Sequence, residues 1–219
     1  MKRKIKFLSL WLALLIVVVF LLQYIPGFTD IFVLNLRVYE GEYWRFLTAV
    51  FLHGGVTHLL FNLVALVFFG FALERTIGSK NFLLVFLISG IVANIISVNF
   101  YNSSLGASGG IYGIIGCLTL IRPMMMVWAV GVILPMFLAS IIWIIGDLLR
   151  TLGAIDPGNT GSIAHLSGIV IGLIAGIFFR SRLKGKFLDD RLARKRDKVE
   201  IPESFIRNWE NVYMKPRRG

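Results

Sequence analysis

One cysteine, three histidines and twelve acidic residues are few for a chain of 219 residues, and each scarcity excludes something. The single cysteine, Cys117, rules out an intrachain disulfide framework; it lies in an apolar run and reads as packing. No Cys/His cluster suggests zinc, and no His-Glu-x-x-His motif supports a metal-dependent hydrolase, so neither a metal nor a cofactor is expected. Paired intramembrane aspartates are lacking too, since Asp147 has no evident partner in the sequence. Charged residues make up only 16% of the chain, too few to give a soluble domain of this length its polar surface. The shortage is one-sided: 23 Lys+Arg against 12 Asp+Glu leave a formal charge of +11. A basic surplus can indicate nucleic acid, but no reading module accompanies this one, and no nucleic-acid partner is expected. Attraction to anionic lipid headgroups accounts for it more simply.

What is abundant is apolar sequence, 57% of residues with a mean hydropathy of +0.78. It falls in long blocks rather than at amphipathic spacing, which predicts an all-α polytopic membrane protein. Six spans are expected. The first covers about Phe7–Ile25 and ends at Pro26-Gly27; it offers no small-x-small cleavage site and reads as a retained helix. The second runs from near His58 to Leu73, stopping at Glu74-Arg75, with Gly54-Gly55 marking a break before it. The third covers Asn81–Phe100 and the fourth Ser108–Ile121, closed by Arg122-Pro123. The fifth occupies much of Val127–Leu149 with Pro135 inside it, or begins after Pro135 with an interfacial segment before it. The sixth runs from Ser162 to Phe179. Residues 1–180 thus form the membrane domain and 181–219 a basic tail, where Ile201, Phe205, Trp209 and Tyr213 fall at four-residue steps along one helical stripe.

Six spans place both termini on one side. That side collects Lys2, Arg3, Lys4, Lys6, Arg75, Lys80, Arg122 and the tail, leaving only Arg37, Arg45 and Arg150 opposite. The positive-inside rule then puts both termini in the cytoplasm, in a multi-pass protein of the cell membrane.

Depth arithmetic singles out four polar residues. At about 1.5 Å of rise per residue, Ser108 lies about 20 Å above Arg122 and His165 about 22 Å above Arg180. His58 and Asn62 lie about 24 and 18 Å above Glu74. All four share one layer below the outer surface, and the fourth helix is so short that Asn99–Ala107 must dip inward. Irregular backbone at that depth needs protein or a water-filled cavity around it. Each residue has a plainer reading alone: Ser108 as a small packing residue, His165 as a hydrogen-bonded interfacial residue, Asn62 as interhelical glue. Ionisable groups inside spans are costly, however, which favours function for His165. Tyr112 follows Ser108 on the same helical face. Gly109 and Gly113 make a small-xxx-small face on the fourth helix; Gly168, Gly172 and Gly176 do so on the sixth. If these faces meet, Ser108 and His165 come within reach of each other and Tyr112 can support the imidazole.

These elements resemble the rhomboid family of intramembrane serine proteases. The matching residues are Gly106-Ala107-Ser108-Gly109, His165-x-x-Gly168-x-x-x-Gly172, His58-x-x-x-Asn62 and Glu42-Tyr43-Trp44-Arg45. They occur in the family's order within about residues 1–180. The resemblance implies a six-helix bundle that cleaves membrane-anchored proteins within or beside their transmembrane segment, so that the partners are transmembrane substrates and the lipid bilayer. It implies Ser108 as nucleophile and His165 as general base, with no carboxylate third member. It implies that His58, Asn62 and the backbone N–H of Ser108 stabilise the oxyanion, that Tyr112 packs on His165, and that Trp44 and Arg45 brace the first outer loop.

The chemistry suits these residue types. A serine hydroxyl needs a base to take its proton, and neutral imidazole does this near pH 7. Asp147 and Asp156 have no helical registration with His165, which predicts a Ser-His dyad oriented by packing. A non-enzymatic relative that binds membrane clients is the alternative; it would normally lack Ser108 or His165, and both are present. A channel or transporter would need polar groups continuing inward, where these helices are aliphatic and aromatic.

Overall fold

The structure, a computed structural model, describes residues 5–155, 161–197, 203–204 and 207–208. The chain divides into two compact units, Met1–Arg180 and Ser181–Gly219. The first opens with α1 (Leu8–Leu22), a short α2 (Phe28–Phe32), the two-residue strand β1 (Leu34–Asn35) and a 3₁₀ turn at Leu36–Glu40. After α3 (Arg45–Thr48) and a second 3₁₀ turn come α4 (Val56–Ala65), a π-helical stretch at Leu66–Gly70 and α5 (Phe71–Ile77), which together form one continuous helix. Then follow α6 (Ser79–Ser97), β2 (Ser103–Ser104), α7 (Ser108–Ile121), the hairpin β3 (Met126–Ala129) and β4 (Val132–Pro135), α8 (Met136–Thr151) and α9 (Ser162–Asp197). Three helices among the described residues are long and apolar enough to cross a membrane: Val56–Ile77, Ser79–Ser97 and Ser162–Leu183. Leu8–Leu22 and Ser108–Ile121 are shorter apolar helices.

Helix α1 shows why apolar residues run all round these helices. Ser9, Leu12, Ala13 and Ile16 form one buried stripe, while Trp11, Leu14, Val18 and Leu21 are exposed on the other face. An apolar outer face is what a lipid environment requires.

Glu74 lies fully buried and accepts hydrogen bonds from the Leu8 and Ser9 amides at the start of α1 (2.9 and 3.0 Å). It also accepts from the hydroxyls of Ser9 and Ser79, at 2.9 and 2.6 Å. A carboxylate there satisfies orphan amides and opposes the positive end of the α1 dipole. This explains one departure from expectation: the second helix does not stop at Glu74-Arg75 but continues to Ile77, because Glu74 turns inward as a staple.

Of the two readings of the fifth span, the structure agrees with the later start, after Pro135, and not with a start near Val127. Val127 does not begin a helix; Met126–Pro135 is an antiparallel hairpin pairing Trp128 with Ile133, and the helix starts at Met136. Pro135 cannot donate an amide into a helix interior, and its extended backbone (ψ 144°) ends the strand. Val130 and Gly131 make the two-residue turn with φ of 45° and 84°. The sixth helix continues beyond Phe179, and the predicted stripe Ile201, Phe205, Trp209 and Tyr213 lies outside the described residues.

Helices α6, α7 and α9 form the tightest layer. A Cβ on Gly168 would stand 2.1 Å from the Gly109 carbonyl oxygen, and one on Gly172 would stand 2.0 Å from that of Gly113. The sixth helix therefore rests its glycines on the fourth helix's backbone. Gly109 and Gly113 lie where both neighbours meet: their Cβ positions come within 3.7 Å of the Ala164 carbonyl oxygen and 3.4 Å of the Gly168 carbonyl oxygen on α9, respectively. Their Cβ positions point at Ala93 (2.6 Å) and Ser89 (2.1 Å) of α6. Helix α7 is thus squeezed between two neighbours: Gly109 and Gly113 crowd α6 most closely, while a Cβ on Gly116 would stand 2.4 Å from the Ile169 carbonyl oxygen of α9.

Candidate active site

The loop segments that lead into the site are pinned before the helix begins. Strand β1 pairs with β2, with Leu34 opposite Ser104, and the Gly106 amide donates to the Ala49 carbonyl at 2.9 Å. Ala107 is fully buried, and α7 then starts at Ser108. The dip expected of Asn99–Ala107 is therefore anchored in protein. Arg45 underlies the same region: 1% exposed, it donates to the carbonyls of Asp30 and Val33 at 2.7 Å and pairs with Glu42. Trp44 donates its indole N–H to the Ile31 carbonyl at 3.2 Å, so both residues tie down the loop.

Gly106 has φ +132°, a backbone state that only glycine adopts without strain. A Cβ there would lie 2.8 Å from His58 Cε1 and 3.0 Å from His58 Nε2, and 3.9 Å from Ser108 Oγ. His58 Nε2 and the Ser108 hydroxyl therefore border the same small space. The Gly54 amide donates to His58 Nδ1 at 3.4 Å, so neutral His58 carries its proton on Nε2, a donor at the edge facing Gly106. Asn62 is buried, and its side-chain amide donates to the His58 carbonyl at 2.9 Å. That contact uses one N–H of two.

His165 lies flat on Tyr112, with ring centroids 4.1 Å apart and planes 6° apart. Tyr112 is one helical turn beyond Ser108. Across His165 sits a group that sequence reasoning set aside. Asp147 Oδ1 and Oδ2 lie 3.3 and 3.2 Å from His165 Nδ1, which corrects the expectation that no carboxylate registers with this histidine. Asp147 is 1% exposed and also pairs with Arg150 at 3.5 Å. Intrahelical spacing could not reveal this contact, because α8 and α9 are separate elements whose register depends on packing.

A further histidine was also missed. His53 is buried against His58, ring centroids 5.0 Å apart, and among the described residues the Phe51 backbone is the one group that approaches its ring as a hydrogen-bond partner, without good alignment. Burial, reinforced by neighbouring His58, lowers its pKa from 6.5 to about 4. Its peptide is clamped by Gln23 at the end of α1, which accepts from the His53 amide at 2.8 Å and donates to its carbonyl at 3.1 Å. The available signal was its place as one of only three histidines, five residues before His58.

Residues 40–182 match the family model described as "Rhomboid domain". The chain is 36% identical over 187 residues to the rhomboid protease GluP of Bacillus subtilis, covering 81% of this chain and 34% of that protein. It is 30% identical over 191 residues to the rhomboid protease GlpG of Haemophilus influenzae, covering 83% of this chain and 95% of that protein. RHOMBOID-like protein 1 of Arabidopsis thaliana is 30% identical over 159 residues, 72% of this chain and 40% of the relative. The chain thus spans well under half the length of the Bacillus and Arabidopsis relatives and nearly all of the Haemophilus one.

Proposed function

The chain belongs to the rhomboid family, and on that premise we propose that it is an intramembrane serine endopeptidase acting on membrane-anchored proteins. Ser108 is the nucleophile and His165 the general base. The observation that carries this reading is the flat stack of His165 on Tyr112, one turn from Ser108. Because α9 rests its glycines on the α7 backbone beginning at Gly109, the imidazole is held beside the serine's helix end.

In acylation, Ser108 Oγ bonds to the scissile carbonyl carbon while its proton passes to His165 Nε2, and the carbonyl π pair moves onto oxygen. Preorganised donors stabilise that oxyanion, each worth a few kcal/mol. His58 Nε2–H, the Ser108 amide and the free Asn62 N–H are suited to the task. The amine leaves with the proton from His165. Water then repeats the sequence on the acyl-enzyme, giving a carboxylate and restoring Ser108.

The bundle reading extends to six crossings, with α1, α7 and α8 completing the three longer helices and both termini in the cytoplasm of a cell-membrane protein. Residues 1–180 are the protease domain and 181–219 a basic cytoplasmic tail. Its partners are transmembrane substrates and the bilayer itself.

A fluorophosphonate probe applied to the purified protein tests the proposal. It should attach at Ser108, and Ser108→Ala should abolish both labelling and cleavage of a transmembrane reporter, with the melting temperature nearly unchanged. Reporter cleavage by Ser108→Ala would remove the central assignment, and an unlabelled wild type would favour a client-binding protein without catalysis.

A further inference from the structure

We propose that Asp147 is a positioning residue for the general base: its carboxylate holds His165 in the Nδ1–H tautomer and balances the imidazolium formed during acylation. The inference rests on the serine-protease reading above.

The sequence of α8 makes Asp147 conspicuous. Met136, Ala139, Ser140 and Asp147 are the buried positions of this helix, one stripe at helical spacing. Packing alone would complete that stripe with an apolar residue, since an ionised carboxylate is costly to bury unless it is paired. Three groups face it. Arg150 approaches from its own helix at 3.5 Å, with its side chain 37% exposed; His165 approaches from α9; the Tyr112 hydroxyl faces it from α7. A surface-reaching Arg150 would serve a plain ion pair without His165, yet both carboxylate oxygens lie within 3.3 Å of Nδ1.

An ionised carboxylate only accepts, so Nδ1 must carry the proton, and neutral His165 then keeps its lone pair on Nε2. The two contacts also divide the geometric work. Stacking on Tyr112 fixes the plane of the ring but leaves it free to turn within that plane. The bond at Nδ1 removes the turning. Together they determine where Nε2 points.

The charge consequence follows. When Nε2 takes the Ser108 proton, the imidazole becomes a cation beside a fixed anion 3.2 Å away. The balance of charge requires no proton transfer to Asp147. The proton on Nε2 leaves with the amine as the C–N bond breaks. The protein therefore works with an Asp-His-Ser arrangement spread over α8, α9 and α7.

The test uses the full-length protein in detergent and Asp147→Asn, which keeps the shape and removes the charge. Fluorophosphonate labelling of Ser108 should slow by about a hundredfold or more. On a reporter substrate kcat should fall while KM holds, since Asp147 touches no substrate. Nitrogen-15 spectra provide a second readout, and with only three histidines each imidazole can be assigned. His165 should be the Nδ1–H tautomer in the wild type, and that measurement decides the matter even if the Asn variant does not fold. Labelling and turnover by Asp147→Asn at wild-type rates, or an Nε2–H tautomer at His165, would overturn the proposal while leaving Ser108 as nucleophile. A wild type that does not label at Ser108 would take both readings down together.

Discussion

Replacing Gly172 with alanine adds one methyl group to a residue that does no chemistry, yet the structure places that methyl in a backbone. Its Cβ would lie 2.0 Å from the Gly113 carbonyl oxygen, 2.7 Å from the carbonyl carbon and 2.8 Å from the Cα. Contacts of a Cβ under 3.0 Å are essentially never observed, so α9 must retreat from α7 by about 1 Å (3.0 − 2.0). Neither partner can yield locally, because α7 is held on its other side by Ser89 and Ala93 of α6. The displaced helices are those that carry Ser108 and His165. A misplacement of about 1 Å costs on the order of a hundredfold in rate, and overpacking of this kind costs about 1–3 kcal/mol of stability. Gly172→Ala should therefore lose about two orders of magnitude in reporter cleavage, melt at a lower temperature and label slowly with fluorophosphonate, with every site residue intact. Two controls grade the argument. Gly176→Ala brings its Cβ to 3.0 Å from Leu120 Cβ and 3.1 Å from the Cys117 carbonyl oxygen, and should cost far less. Ile174→Leu, on a face 59% exposed, should be neutral. Wild-type cleavage and melting in Gly172→Ala would refute the inferred contact between α7 and α9.

Gly106→Ala should inactivate by another route, because its Cβ would meet His58 at 2.8 Å and its φ of +132° disfavours any side chain; a variant that still cleaves the reporter at the wild-type rate would remove His58 from the site. The pH dependence of stability should carry the signature of His53. Its folded pKa lies near 4 and its ordinary value is 6.5, so between these values the unfolded chain binds a proton that the folded chain does not. Stability is full above pH 6.5 and falls as the pH drops from 6.5 towards 4, by up to about 1.4 kcal/mol per unit. Replacing His53 with phenylalanine should flatten that part of the melting-temperature profile, and an unchanged slope would show that another group titrates.

The chain itself made its class plain. Long apolar blocks in place of amphipathic ones leave lipid as the only solvent for the outer faces of these helices. Local periodicity also sufficed wherever the relevant partners share one helix: Ser108 and Tyr112 on α7, His58 and Asn62 on α4, and the glycine ladder of α9. Each of these is fixed by 3.6 residues per turn, a property of the backbone alone. Packing between helices decided the rest. The carboxylate of Asp147 meets His165 only because α8 and α9 settle in one particular register, and no spacing within either helix encodes that register. Glu74 looks like a helix-ending charge until α1 is laid against it. Gly109 and Gly113 lie under the α9 glycines, but only the packed structure shows that Ala93 and Ser89 of α6 crowd their Cβ positions more closely still. The hairpin at Met126–Pro135 escaped because a short apolar run reads alike as strand or helix, and only pairing across Val130-Gly131 settles it. The sequence specifies which groups are present and at what depth; the close packing of α6, α7, α8 and α9 determines which of them touch.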